Sequence, residues 1–206
     1  MSNMAYQTCQ QNQMSVRGKR ARRGAATLWI ILCLPAVLCL IGVVVETGNL
    51  LLARIELTNA LEAGALSGVD EWSDFGNTPA NRTASRSRAV ALVASNTMTG
   101  TSLSGAVSAN GGGGGANENS TCTGNVVILG SGSNAALDFN AGTDPTLPGR
   151  YFAVRVQASM SVNSIIGTLC GVAVGPFNVT TEATAGKLGG GITKLYSPSS
   201  VICPGP

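Results

Sequence analysis

The sequence predicts an α+β protein: one long N-terminal transmembrane helix that continues into an amphipathic helix, then a small exported domain with a second helix and an antiparallel sheet. Three observations predict it. Residues 24–45 carry no charge. Past Glu46, apolar residues recur at spacings of three and four, the period of a helix that buries one side. From Tyr151 onward the period falls to two, as in a strand with one covered face.

The uncharged run GAATLWIILCLPAVLCLIGVVV, Gly24 to Val45, would measure roughly 33 Å as a helix. That length crosses a hydrocarbon core of about 30 Å with some tilt, and a helix satisfies its backbone internally in lipid. Pro35 lies mid-span, where membrane helices tolerate a lost backbone hydrogen bond. Arg17, Lys19, Arg20, Arg22 and Arg23 precede the run, and no acid occurs before Glu46. Cations on that flank orient a span with its N-terminus in the cytoplasm, so residues 1–23 read as a basic cytoplasmic tail. A basic cluster can also mark nucleic-acid binding, but no aromatic residues are interleaved and the apolar run begins at once. The tail holds five of the 13 Lys and Arg, leaving eight against all 10 Asp and Glu, so the exported part is slightly acidic.

Competing targeting signals fit less well. The apolar core of a cleaved signal peptide is usually about 7–15 residues with a small-x-small exit, and the pair Ala63 and Ala65 comes far too late. Arg22 and Arg23 form a twin-arginine pair, but Gly-Ala-Ala-Thr follows in place of bulky apolar residues. Neither Cys33 nor Cys39 follows a small residue, as lipoprotein processing would require.

Residues 46–98 read as an exported helical region. Leu50, Ala53, Leu57, Ala60, Leu61, Gly64 and Ala65 form a stripe rich in small residues, suited to close packing against its own domain or a neighbouring helix. Glu46, where the apolar run ends, is either a solvated interfacial acid or a contact to a positive group of another subunit. A second helix is predicted within TASRSRAVALVASNTM from Thr83, with Arg82, Arg86 and Arg88 on a solvated face.

Residues 99–124 turn to Gly, Ser, Asn and Thr, including five glycines at 111–115, and read as a flexible loop. They lack the GK[ST] of a phosphate cradle. Residues 125–206 form the β-rich part. Phe152, Val154, Val156, Ala158, Met160 and Val162 alternate with Tyr151, Arg155, Gln157, Ser159 and Ser161, and Phe177 to Ala185 repeats the alternation. Asn125 to Leu129 supplies a third strand.

The chain has no His, no GxSxG and no CxxC, so no general base, serine elbow or zinc site is expected; we expect no enzyme, no cofactor and no small-molecule substrate. Asp70, Glu71 and Asp74 read as solvated acids rather than a cation site. The sequons at Asn81, Asn119 and Asn178 read as incidental. Cys122, Cys170 and Cys203 lie past the span, where an oxidising compartment lets two of them pair. The sequence leaves the pairing open.

The block from Arg22 to Gly68 combines an Arg-Gly entry, a Pro-containing span, an acid followed by a glycine near its outer end, and a helix rich in Leu, Asn and Ala. In this it resembles the TadE/TadG-like proteins of the Tad (Flp) pilus-assembly system. The strand FAVRVQASM, the apolar piece from Ile165 to Leu169 and the closing NVTTEATA fall in the order of that family. Processed relatives have Glu five residues after the cleaved glycine; here Trp29 follows Gly24 at that distance, which leaves processing open. Glu46 stands where the family commonly has Asp, and the Asp-x-Ser-x-Ser metal motif of larger members is missing. The resemblance implies an inner-membrane, single-pass envelope protein whose domain lies in the periplasm or outside. It would act in pilus assembly or as a minor pilus-associated subunit, with other pilus or secretion-system subunits and the membrane as partners and no nucleic acid. The alternative is a tethered adhesin or envelope-binding module unrelated to pili.

Overall fold

The computed structural model describes the backbone of all residues except 1–2, 112–118, 134–136, 172–173, 189–190 and 204–206, and no side chains at 3–26, 169–170 or 188. The flexible-loop reading of the glycines at 111–115 therefore falls mostly outside the described residues. The chain forms two compact units, residues 1–47 and 48–206, and helix α1 (Asn3–Phe75) is continuous through both sequence ranges, with Pro35 inside it.

In the first unit, the large apolar side chains between Leu28 and Val45 are exposed, most of them by half or more. A soluble helix buries such a stripe; this one is apolar on every side and is long and apolar enough to cross a membrane.

The second unit is a two-layer domain in which helices cover one face of a sheet. The predicted stripe on α1 is the helical half of its core: Ala53, Leu57, Ala60, Leu61 and Ala65 are buried, continued by Val69 and Trp72. Leu50 packs against the margin. α1 ends where Gly76 adopts φ 82° and its N–H returns to Trp72 O at 3.1 Å, a left-handed closure that favours glycine.

α2 (Pro79–Ala94) begins earlier than the sequence pattern suggested. Thr78 is the cap, its hydroxyl accepting from Asn81 N at 3.2 Å, and Pro79 occupies the first turn, where its missing N–H costs nothing. The two helices lie close because small residues face each other. A Cβ added to Gly64 would stand 2.7 Å from Val93 Cγ2 and 3.2 Å from Ala89 O. The Ser85 hydroxyl donates to Gly68 O at 2.7 Å. Arg82 and Arg86 are buried, correcting the solvated face read from the sequence; Arg88 is exposed. Arg82 Nη1 donates to Asn77 Oδ1 at 3.2 Å and Arg86 Nη2 to Asn119 Oδ1 at 3.4 Å, so each guanidinium is withdrawn with a hydrogen-bond acceptor.

A two-stranded hairpin follows, β1 (Thr97–Met98) and β2 (Thr101–Ser102). Thr99 and Gly100 both have positive φ, as a tight primed turn requires. Thr99 is β-branched and strained there, and its N–H is held by the Glu56 carboxylate of α1.

The main sheet has six strands in the order β7-β6-β5-β3-β4-β8. They are β3 (Val126–Ser133), β4 (Phe139–Asn140), β5 (Arg150–Val162), β6 (Phe177–Leu188), β7 (Ile192–Leu195) and β8 (Val201–Ile202). Neighbours are antiparallel except the parallel pair β4 and β8. A short helix, α3 (Ile165–Cys170), joins β5 to β6; Ser164 Oγ caps it by accepting from Gly167 N at 2.9 Å. The predicted alternation sets the register: Val127 faces Val156, and Val154 sits between Leu129 and Ala185, all under the helices.

The predicted strand over 151–162 is more enclosed than half-buried. Its first part is covered on both faces, because Tyr151 and Ala153 join Val126, Ile128, Phe139 and Ala141 in a second apolar cluster on the outer face. Gly132 and Gly186 make room for the Tyr151 ring, which a Cβ at either would meet at 2.2 or 2.6 Å. Across the loop, Asn119 substitutes for a strand residue: its Nδ2 donates to Leu129 O at 2.8 Å and its Oδ1 accepts from Leu129 N at 2.9 Å. Asn110 likewise donates to Val127 O at 3.1 Å.

Candidate functional site

Three features remain once the core is assigned: the apolar segment of α1, the acids along it, and a polar cluster on the outer face of the sheet. The apolar segment needs a nonpolar surrounding, since each exposed side chain there would otherwise hold structured water at roughly 25 cal/mol per Å². Thr47 closes that stretch with its hydroxyl donated to Val43 O at 2.8 Å, which satisfies a polar group at the end of the run. The backbone carrying Arg17, Lys19, Arg20, Arg22 and Arg23 belongs to α1, and their side chains lie outside the described ones. Glu46 is buried, at 8% exposure, between exposed Val45 and Thr47. Just past it Leu51, Leu52 and Ile55 are about as exposed as the residues of the span.

The acids Asp70 and Asp74 are drawn to one cation. Lys187 on β6 is hydrogen-bonded to the Asp74 carboxylate and stands 3.6 Å from Asp70. The Asp74 hydrogen bond holds the Lys187 ammonium above its usual range despite some opposing desolvation. The trio fastens the end of α1 to the sheet, and among the described residues no group of His, Cys, Asp and Glu is arranged to hold a metal ion. The sequon amides of Asn119 and Asn81 are engaged as well, the latter with Gly76 O at 3.0 Å.

The outer face gathers Arg150, Asp138, Tyr151, Tyr196, Arg155, Glu182, Cys122 and Cys203. Arg150 Nη1 binds both Asp138 oxygens at 3.0 and 3.2 Å. Tyr196 donates to Asp138 O at 3.2 Å and meets the Tyr151 ring edge-on at 6.0 Å. Burial pushes both phenols above their ordinary range, and for Tyr196 the neighbouring Tyr151 adds to the effect. Arg155 is buried, pairs through Nη2 with Glu182, and has no acceptor for Nε and Nη1. The adjoining cleft, lined by Glu62, Glu182, Thr184 and Tyr196 among others, carries two acids and no base.

Of the three cysteines past the span, Cys122 packs against the outer apolar cluster and Cys203 is exposed. Burial first, then Cys203, pushes the Cys122 thiol up to about 12, opposed by the Arg155 charge. The Cys170 side chain lies outside the described ones. Asp138 and Glu182 are each paired with an arginine, and the cluster reads as structural. Sequence reasoning missed it because Arg155, Tyr151 and Gln157 alternate as solvated residues should; the small partners Gly132 and Gly186 were the available signal.

Comparison with known families assigns this arrangement. Residues 24–71 match the family described as Flp pilus-assembly TadE/G-like. Residues 63–185, more than half of the chain, match the family described as Tad-like Flp pilus-assembly. The two matches meet on α1, at the stripe that enters the domain core. No curated protein and no solved structure matches the chain.

Proposed function

The chain belongs to the Tad-like Flp pilus-assembly family as a membrane-anchored protein of pilus assembly, and from that premise we propose that it works as a non-enzymatic assembly subunit held in the inner membrane. Residues 1–23 stay in the cytoplasm under the positive-inside rule, and the domain of residues 48–206 stands on the outer side. Support for the reading comes chiefly from one observation: the helix that carries the apolar, exposed span also supplies the helical half of the core of the domain that follows. Other pilus or secretion-system subunits are the partners. Exposed Leu51, Leu52 and Ile55 are the contact surface we assign to them, since apolar residues at the foot of a domain mark association sites.

Deleting the gene is expected to abolish or strongly reduce surface pili, with recovery on supplying the full chain. A tagged full chain is expected to co-purify pilus or secretion components, and Ile55→Asp to weaken that recovery at unchanged chain level. Unchanged pili and adhesion in the deletion strain would overturn the assignment.

A further inference from the structure

We infer that α3 and the residues from Val174 into β6 rest in the headgroup layer of the bilayer, so that the domain of residues 48–206 touches lipid at the end where α1 enters it. The inference rests on the reading of residues 24–45 as a membrane span.

Two contacts along α1 fix the level of this end within the domain. The hydroxyls of Thr58 and Thr181 share a hydrogen bond at 2.9 Å. Lys187 is bonded to Asp74 and stands 3.6 Å from Asp70. From Thr181 to Lys187 a strand advances roughly 20 Å, and from Thr58 to Asp70 or Asp74 a helix advances roughly 18–24 Å. β6 therefore runs alongside α1 in the same direction. Back from Thr181 to Phe177 the strand covers roughly 13 Å, equal to about nine helix residues, which reaches the level of Asn49. An independent contact agrees: Asn49 lines one cleft with Ser161, Ser164, Ile165 and Thr168, and Val162 pairs with Phe177 at that end of the sheet. Asn49 is four residues past Val45, the last of the uncharged run. Four residues advance about 6 Å as helix and at most about 14 Å as any chain. The headgroup region adds roughly 5–8 Å to each side of the hydrocarbon core, so α3 stands at its depth.

The chemistry of this end suits that depth. No Asp, Glu, Lys or Arg occurs between Arg155 and Glu182. Val174 is 41% exposed, Pro176 is exposed, and Ile165, Ile166 and Phe177 are half-buried. The cleft beside them offers only uncharged hydrogen-bonding groups, those of Asn49, Thr99, Ser161 and Thr168 among them. The opposite end of the same sheet is built from ion pairs, Arg150 with Asp138 and Lys187 with Asp70 and Asp74. Exposed apolar side chains mark protein or membrane contacts, and at headgroup depth next to a span lipid is the occupant at hand. With no base in the stretch, the contact is apolar partition into the headgroup and acyl boundary and does not depend on anionic lipid.

The experiment places the photocrosslinking residue p-benzoylphenylalanine at Val174 or at Thr168, both exposed, in the full chain in intact cells, with Leu34 in the span and Leu147 as comparison positions. Leu147 is 50% exposed, and its carbonyl accepts from Arg150 N at the opposite end of the sheet. After irradiation, the purified chain is weighed by mass spectrometry. The expected result is a gain of one phospholipid mass at Leu34, Val174 and Thr168, and no such gain at Leu147. Lipid at Leu34 with a protein adduct, or no adduct, at Val174 and Thr168 leaves the span reading standing and overturns the proposal. No lipid at Leu34 overturns the span reading, and the proposal with it. In vesicles of phosphatidylcholine alone, the purified chain is expected to keep the lipid adduct at Val174; its loss there and return on adding phosphatidylglycerol would overturn apolar partition as the cause.

Discussion

Replacing Trp72 by alanine is expected to lower the unfolding free energy of the domain of residues 48–206 by about 3–5 kcal/mol. The indole is fully buried and is the largest side chain in the core. It stands edge-on to Phe152 with ring centroids 5.0 Å apart, and so joins the last turns of α1 to the strand beneath. Small-to-medium residues dominate the rest of that interface, with Ala53, Ala60, Ala65 and Ala89 among them, and they cannot move in to fill the space. Trp72→Phe is expected to cost about 1.5 kcal/mol or less. It keeps most of the ring contact and removes an indole N–H that has no acceptor, whose burial is itself unfavourable by about 1–3 kcal/mol. Chemical denaturation of the purified chain, followed by proteolytic susceptibility, measures both. Equal losses for the two variants would show that the interface with Phe152 does not carry the weight given to it.

The second large effect concerns the span. Between Thr27 and Val45 there are 12 Leu, Ile and Val residues, and at about −0.3 to −0.6 kcal/mol each they favour insertion by roughly 4–7 kcal/mol, an upper figure because the values apply at the helix centre. One arginine at the centre opposes this by about 2.5–3.5 kcal/mol, which the span withstands. Two arginines bring the balance to about zero or beyond. Leu38→Arg is therefore expected to remain membrane-integrated after alkaline extraction, whereas Leu34→Arg combined with Leu38→Arg is expected to lose most of the integrated chain. An unchanged integrated fraction in the double variant would mean that this segment is not what holds the protein in the bilayer.

The sequence made the helical half of the molecule easy to read and the outer half hard. Leu57, Leu61 and Ala65 repeat at helical spacing because the core built from the sheet and α2 covers one side of α1. The central strands were legible for the same reason: Val154 and Val156 alternate because the helices cover one face throughout. The outer cluster is assembled from pieces too short to have a period, namely β4 and the segment bearing Tyr196. Their packing is recorded only in what they bury, and burial of Tyr151 and Arg155 has no local signature. The start of α2 was legible in principle through Thr78 and Pro79, but apolar periodicity begins later, so the pattern placed the helix too far along. Arg82 and Arg86 read as solvated because charge usually is; their acceptors, Asn77 and Asn119, lie outside the helix pattern.

The central claim is that a single helix places a basic tail on the cytoplasmic side and the domain of residues 48–206 on the other. Protease digestion of spheroplasts carrying the full chain, with one epitope before Arg17 and another after Ile202, tests it most directly. The N-terminal epitope should survive on a fragment that contains the span, and the C-terminal epitope should be lost without lysis. Survival of the C-terminal epitope together with loss of the N-terminal one would contradict the orientation and the assembly role built on it.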